Sequence, residues 1–265
     1  MTATFFHPPE LPFVEARLAS DSAACYRPHS HPTFSIGCVD AGSSTLSLEG
    51  RKTRLRAGDV VLINAGIVHC CNPRPGRSWS YRMLYFDPAW IGLTAHDLEW
   101  RTPLRSTRAR VAFDAIMATV ASKGAEREAE RRLHGLVWTL LRCASAGRSG
   151  SPSHAAPWLE PARAHIVAHC AQRLPLRVLA RRFGVSPFAL VRQFKRRYGL
   201  TPHSFQLDQR VVQARQLLRQ GLPAAQVAQD LGFADQGHLT RVFKPRVAAT
   251  PGEYHRTRVT ARSRG

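Results

Sequence analysis

Acidic residues are scarce in this chain. Its 265 residues hold 18 Asp+Glu against 38 Lys+Arg, a formal net charge of +20. Such a surplus needs a polyanionic partner, nucleic acid or an anionic membrane surface. Long hydrophobic runs are also missing. The best one, "VVLINAGIVHCC" (Val60–Cys71), is short and broken by Asn64 and Gly66, so it does not read as a membrane span. The start, "MTATFFHPPELP", has neither the basic end nor the apolar core of a secretory signal, and the expected location is the cytoplasm, at the nucleoid. Cysteine is sparse. Cys25, Cys38, Cys70, Cys71, Cys143 and Cys170 form no C-x-x-C pair and no framework spacing, which excludes a disulfide scaffold and predicts reduced thiols.

The charge that is present is uneven. Trp158–Gly265 holds 19 Lys+Arg and 5 Asp+Glu, a net +14, which leaves +6 for Met1–Pro157. An arginine-rich composition alone would make a basic chain but would not concentrate the surplus. The hydrophobic pattern changes along the chain as well. Thr33–Phe86 reads as short strands: "TFSIGCVDAGSSTLSLEG" alternates, with Phe34, Ile36 and Cys38 on one face and turn residues at Asp40–Gly42. "SWSYRMLYFDP" places Trp79, Tyr81, Met83 and Tyr85 together. This spacing suggests a small antiparallel barrel or sandwich. Val111–Cys143 then reads as two amphipathic helices whose apolar stripes lack an evident partner in so small a barrel. "SAGRSGSPSHAAP" (Ser145–Pro157) has linker composition, and everything beyond Trp158 is helical in pattern.

The basic part contains one unit twice. "LPLRVLARRFGVSPFALVRQFKRRYGLTPHSF" (Leu174–Phe205) aligns with "AAQVAQDLGFADQGHLTRVFKPRVAATPGEY" (Ala224–Tyr254). Ala180 and Gly184 match Ala228 and Gly232; Leu190, Arg192, Phe194 and Lys195 match Leu239, Arg241, Phe243 and Lys244. The small residue lets a second helix cross closely, and the glycine suits a helix end with positive φ. Ser186-Pro187 and Asp235 are placed to start the second helices. One copy reads equally well as an ordinary helical hairpin with a solvated basic face. Two copies with matched caps, small residues and basic faces favour DNA. The predicted DNA-facing residues are Ser186, Pro187, Ala189, Arg192, Lys195 and Arg196 in copy one, and Asp235, Gln236, His238, Thr240, Arg241 and Lys244 in copy two.

On these residues, "LARRFGVSPFALVRQFKRRYGLTP" and "VAQDLGFADQGHLTRVFK…TPGEY" above all, the segment from about Leu159 to Arg256 resembles the DNA-binding domain of the AraC/XylS family of bacterial transcription regulators. The resemblance implies seven helices, two helix-turn-helix units joined by one long helix, here "SFQLDQRVVQARQLLRQG". It implies entry of both recognition helices into successive major grooves of double-stranded DNA. It departs late in copy two, where Pro245, Val247 and Ala248 replace a basic residue, a Phe and a Gly; a proline there predicts a stop or kink.

Upstream, "HSH" (His29–His31) and "LRAGDVVLINAGIVHCCNP" (Leu55–Pro73) resemble the two cupin motifs that AraC-type sensor domains often share. Metal-binding cupins add a Glu, and "HPTFSIG" offers no carboxylate. His29, His31 and His69, with Cys70 and Cys71 nearby, could hold zinc, iron or copper; the alternative, and the expected reading, is a pocket for a small organic effector with no resident cofactor. Its expected lining is His29, His31, Phe34, Ile36, His69, Tyr81 and Met83. The expected fold class is α+β multidomain. A cupin-like antiparallel β-barrel with helices, for sensing and dimerisation, covers 1–145, and a linker covers 146–157. An all-α domain with two helix-turn-helix units (about 175–198 and 224–246) covers 158–258, and a basic tail 259–265. The expected function is effector-responsive, sequence-specific transcription regulation by a non-enzyme. Expected partners are the effector, promoter DNA, a second copy of the chain and RNA polymerase. Two other readings are a cupin metalloenzyme of oxygenase type fused to a DNA-binding domain, and a sequence-indifferent architectural protein; the varied polar residues of the two recognition helices argue against the latter.

Overall fold

The computed structural model describes residues 2–48, 50–92, 102–122, 126–144 and 156–255. Most of the expected linker, the last residues of the expected helical domain (256–258) and the basic tail lie outside them. Seven strands form one antiparallel sheet: β1 (Thr2–Phe6), β2 (Val14–Ser22), β3 (Phe34–Leu48), β4 (Arg51–Arg56), β5 (Val60–Ile63), β6 (His69–Asn72) and β7 (Trp79–Phe86). The order is β1-β2-β7-β3-β4, with β5 and β6 also paired to β3. The class is as expected, but the barrel does not close. The first half of β3 pairs with β5 and β7, and its second half with β4 and β6. The predicted turn at Asp40–Gly42 is instead a bulge within β3, between Val39 and Ala41. Gly42 sits there at φ 73°, and a Cβ on it would lie 2.6 Å from the Ser78 carbonyl oxygen, so the bend needs glycine.

The bulge sorts the side chains. Phe34, Ile36 and Cys38 face the helices α2 (Thr107–Ala121) and α3 (Glu126–Ala144), in a core with Phe113, Ile116, Leu133, Val137 and Leu140. The opposite, inner face gathers Val39, Leu46, Val61, Trp79, Tyr81, Met83 and Tyr85. The apolar stripes of α2 and α3 thus do have a partner, the sheet itself, contrary to expectation. A short helix, α1 (Pro88–Ile91), is capped by Asp87 and stacks Trp90 on Phe13.

The second half is helical: α4 (Leu159–Ala168), α5 (Leu176–Arg182), α6 (Pro187–Tyr198), α7 (Pro202–Gln220), α8 (Ala224–Asp230), α9 (Gln236–Val247) and a last turn over 251–255. These match the seven expected helices. Leu179, Leu190, Phe194 and Phe205 form one core, and Val211, Val227, Leu239, Phe243 and Tyr254 another, with α7 contributing to both. The predicted break at Pro245 does not occur. α9 runs through Pro245 in its last turn and ends at Ala248, which holds the left-handed φ of 57° where a glycine is usual. So near the end, a proline removes only one ladder bond. Its carbonyl accepts from Arg27 N at 2.8 Å.

The two halves meet along α7. Glu15 on β2 is 3% exposed and pairs with Arg215 at 2.9 Å and Arg219 at 3.4 Å; Tyr254 donates to it at 3.2 Å. Burial would raise the Glu15 carboxyl, but Arg215, His7 and Arg219 outweigh it and hold it below its ordinary value. A second pair is looser. Asp208, 1% exposed, accepts from Ser30 N and Oγ, with Arg246 3.8 Å away. Here burial wins: it lifts the Asp208 carboxyl to about 6 against the Ser30 hydrogen bonds and the Arg246 charge, and it depresses Arg246 as well. Phe5 also crosses the boundary, edge-on to Tyr254 at 5.2 Å, as does Val68, packed on the α4–α6 core.

Two measurements check this picture. A Cβ at Gly232 (φ 67°) would run into the Ala171 carbonyl oxygen, whereas one at Gly184 (φ 65°) would meet open space. Gly232→Ala is expected to cost roughly 2–4 kcal/mol of unfolding free energy in denaturant titration, and Gly184→Ala only about 1 kcal/mol. The second concerns acid. Asp208 titrates near 6 when folded against an ordinary 3.8, so between these values the folded chain holds a proton that the unfolded chain has lost. Its contribution to stability is therefore largest below about 4 and declines as pH rises through about 6. Relative to Asp208→Asn, the wild type is expected to lose on the order of 1–3 kcal/mol between pH 4 and pH 7.

Candidate DNA interface and effector pocket

Each recognition helix starts at a side-chain cap. Ser186 Oγ accepts from Ala189 N at 3.1 Å, and Pro187 takes the first helical position of α6, where a missing N–H costs nothing. Asp235 accepts from His238 N at the start of α9. Buried Leu190 and Phe194, and Leu239 and Phe243, anchor one side of each helix. The predicted residues divide on the other side. Arg192, Lys195 and Arg196 on α6, and Gln236, Arg241 and Lys244 on α9, are exposed. None of these cations takes part in an ion pair among the described residues.

Ala189, His238 and Thr240 are only half-exposed. His238 Nδ1 accepts from Ala234 N at 3.2 Å, and Thr240 Oγ1 donates to the Gln236 carbonyl at 2.9 Å, so both side chains already serve the local backbone. One residue escaped the sequence reading. Phe188, in the first turn of α6, is 71% exposed, and the Arg192 guanidinium lies 5.5 Å from its ring. The signal was available: an apolar residue off the Leu190–Phe194 stripe, next to the cap. Lys195 and Arg196 also edge a groove of about 450 Å³ between α6 and the sheet, whose other wall includes Pro28, Val68 and His69.

The inner face of the sheet forms the second site, with free space of about 40 Å³. His29, His31, His69, Tyr81 and Met83 line it as expected. Phe34 and Ile36 do not: they belong to the helix-side core. Alternation put each set on one face correctly but could not say that the Phe34 face and the Tyr81 face are opposite ones. Arg17, Tyr26 and Tyr85 line the pocket instead. The sequence hid Arg17 because β2 alternates Val14 and Ala16 with Glu15 and Arg17; the pattern suggests charges pointing to water, while the inner face buries both.

The three histidines do converge: one ring nitrogen from each lies within 4.8 Å of the others. His29 Nδ1 and His69 Nδ1 lie 2.8 and 2.9 Å from the carbonyls of Arg27 and Ile67, so these nitrogens carry the protons and leave Nε2 free. His31 Nδ1 faces Arg215 Nη1 at 3.3 Å, which makes it the acceptor. Burial pushes all three imidazoles down, His69 to about 4, and the neighbouring Arg215 and Arg17 charges push His29 and His31 further. Cys71 is pushed up to about 12 by burial, so it stays a thiol. Neutral imidazoles, one of them already engaged, beside two guanidiniums and no carboxylate make a poor donor set for a divalent cation.

Comparison with known proteins agrees with this architecture. An "AraC-like ligand binding domain" profile matches residues 13–137, and a "Helix-turn-helix domain" profile matches 179–257. An uncharacterized HTH-type transcriptional regulator, YbfI of Bacillus subtilis, is 26% identical over 220 residues, covering 80% of each chain. The arabinose operon regulatory protein of Salmonella typhimurium is 28% identical over 245 residues, covering 86% of this chain and 85% of the relative. The crystal structure of unsaturated fatty acid bound wild-type ToxT from Vibrio cholerae superposes with a TM-score of 0.58 at 13% identity, covering 96% of this chain and 94% of that one. This chain belongs to the AraC family of transcription regulators, with a ligand-binding domain ahead of a DNA-binding helix-turn-helix domain.

Proposed function

We propose that α6 and α9 read base edges of a specific duplex site, and that a small effector on the inner face of the sheet sets the affinity for that site through α7. The observation that carries this reading is Arg215. From α7, which holds both helix-turn-helix units, it donates to His31 in the pocket and to Glu15 on β2, and it lies 5.6 Å from the Tyr85 ring. A ligand that moves His31 or Tyr85 therefore moves a contact of the helix that sets the spacing of the two recognition helices. A response also requires that the ligand bind one arrangement better than the other. The Asp208–Ser30 contact, where burial outweighs the attraction of Arg246 and raises the carboxyl, is the part of the boundary that gives way most easily.

Arg192, exposed in the second turn of α6, and Gln236, exposed at the first position of α9, are assigned to base readout, with Phe188 placed for apolar contact to a thymine methyl. Lys195, Arg196, Arg241 and Lys244 are assigned to phosphates, and the local bonds of His238 and Thr240 leave them to position the backbone. Catalysis has no support here: the matched relatives are transcription regulators, and the three histidines face arginines. None of the described helices is long and apolar enough to cross a membrane, which suits work on DNA in the cytoplasm. A homodimer through the first domain is supported by the outer side of α2, where Val111 is 60% exposed, and bound promoter sites would bring the chain to RNA polymerase.

Selection of preferred sites from random DNA tests the readout. Arg192→Ala and Gln236→Ala are each expected to relax preference at particular base pairs, by about 1–3 kcal/mol per position. Lys195→Ala is expected to weaken all duplexes alike and flatten the salt dependence. If both readout variants keep every wild-type base preference, their assignment is wrong. Sedimentation of the full chain checks the oligomer: a concentration-dependent dimer is expected, shifted to monomer by Val111→Asp.

A further inference from the structure

The effector pocket contains a buried cation that pairs with no anion among the described residues. Arg17 on β2 is 5% exposed. Its Nη2 donates to Tyr26 Oη at 2.6 Å, and Tyr26 Oη shares a hydrogen bond with Tyr81 Oη at 2.8 Å. The guanidinium carbon lies 5.0 Å from the Phe5 ring, 5.5 Å from Tyr26 and 5.7 Å from Tyr81. Its Nε is buried with no partner. No carboxylate pairs with it among the described residues.

The other buried arginines differ. Arg215 has Glu15, Arg246 has Asp208, and Arg210 donates to the carbonyls of Cys170, Ala171, Gln172 and Gly232. Arg17 has only phenols and ring faces, which soften the loss of water but do not neutralise a charge. The protein cannot supply the missing anion itself, because burial holds the Tyr81 and Tyr85 phenols above their ordinary range, hence neutral. A buried charge without a counter-charge is costly to keep, and here it lines a pocket.

The rest of the pocket sets the ligand's chemistry. It offers the Arg17 guanidinium, the Tyr26 and Tyr81 hydroxyls and the neutral imidazoles, and beside them apolar surface: Met83 sits opposite Arg17 in the β2–β7 register, Trp79 stacks on Tyr81, and Val61 lines the same space. We propose that the pocket takes a small organic monocarboxylate, with its carboxylate on Arg17 and its apolar part against Trp79 and Met83. This rests on the effector reading above and names the ligand class for it. One free positive charge calls for one negative charge, and Arg215 is already committed to Glu15. A sugar or alcohol would leave Arg17 unbalanced, and a phosphate would bring a second charge and no apolar part to meet Trp79 and Met83. The free space of about 40 Å³ is room for about three water-sized groups, so the acid has few carbons.

The test uses the full chain. Thermal unfolding and tryptophan fluorescence are followed against propionate, butyrate and benzoate, their primary amides, arabinose and inorganic phosphate. At least one carboxylate is expected to saturate, raise the melting temperature and change the fluorescence through Trp79. Its amide, phosphate and arabinose should bind at least tenfold more weakly. Arg17→Met should lower carboxylate affinity at least tenfold, while the ligand-free variant melts at or above the wild-type temperature; Arg17→Lys should restore part of the affinity. The proposal is overturned if no carboxylate binds, if the amide or phosphate binds as well as the acid, if Arg17→Met binds the acid like wild type, or if ligand-free Arg17→Met melts well below wild type, which would make Arg17 a structural pillar. Saturation by arabinose alone would sink the carboxylate and leave the effector reading standing. Operator binding measured in parallel, with no response to any of these compounds, would sink both and leave the DNA-binding assignment intact.

Discussion

The arrangement depends on polar side chains on two opposite sides of α7. Gln206, Asp208, Arg210 and Arg215 are polar or charged side chains of one helix, and each is satisfied by a different part of the chain. Gln206 and Arg210 hold carbonyls after α4, and Arg210 also holds the Gly232 carbonyl after α8. The segment between α4 and α5 and the turn of the second helix-turn-helix unit are thereby tied to a single guanidinium. Asp208 and Arg215 reach Ser30, His31 and Glu15 on the sheet side. Buried donors and acceptors tolerate little displacement, because each lost partner leaves a desolvated group behind. A helix bonded this way moves as a unit or not at all, which suits a part that must carry a small change in a pocket to two distant recognition helices.

The two buried ion pairs of α7, one reaching Glu15 across the boundary and one reaching Arg246 within the helical half, are not equivalent. Around Glu15 several cations outweigh desolvation, so the carboxylate is held ionised and Arg215 is held charged. At Asp208 the partner stands off at 3.8 Å, Arg246 Nε has no hydrogen bond, and burial pushes both groups toward neutrality. The Glu15 contact is the tighter of the two and the Asp208 contact the weaker. Both positions follow from β2 and the segment around Ser30 presenting polar groups on the inner face of the sheet, while the outer face, packed on α2 and α3, is almost wholly apolar.

The duplicated unit is symmetric in role and asymmetric in detail. Gly184 and Gly232 share a left-handed φ, yet only Gly232 is pressed against backbone, since Arg210 draws the α8 turn onto the Ala171–Gln172 segment. α6 ends on Gly199 and α9 on Ala248, each left-handed. Phe188 heads the first recognition helix where Gly237 stands in the second. The exposed ends of the two recognition helices therefore differ, an apolar ring beside an arginine in one and an amide beside a glycine in the other.

Local chemistry settled much of this in advance. Caps, helix-ending glycines and the i, i+4 apolar pairs of the repeated unit are short-range features, so α5, α6, α8, α9 and the cationic face of each recognition helix were legible in the sequence. So was the shared face of Trp79, Tyr81, Met83 and Tyr85, because alternation is a property of a single strand. What alternation cannot state is which face of one strand meets which face of another. Phe34 and Ile36 went to the wrong side for that reason, and a bulge in β3 replaced a turn. β1 and β2 were not read as strands at all, since Glu15 and Arg17 break the hydrophobic pattern, and their value to the fold lies in partners up to 239 residues away. The passage of α9 through Pro245 was likewise decided late: near a helix end the lost bond is single, and the Pro245 carbonyl still receives Arg27 from the other half. Elements and their polar faces came from residues near in sequence; the pocket, its unpaired arginine and the route from it to α7 exist only where residues distant in sequence are packed together, because charge without a local partner acquires meaning only from what surrounds it.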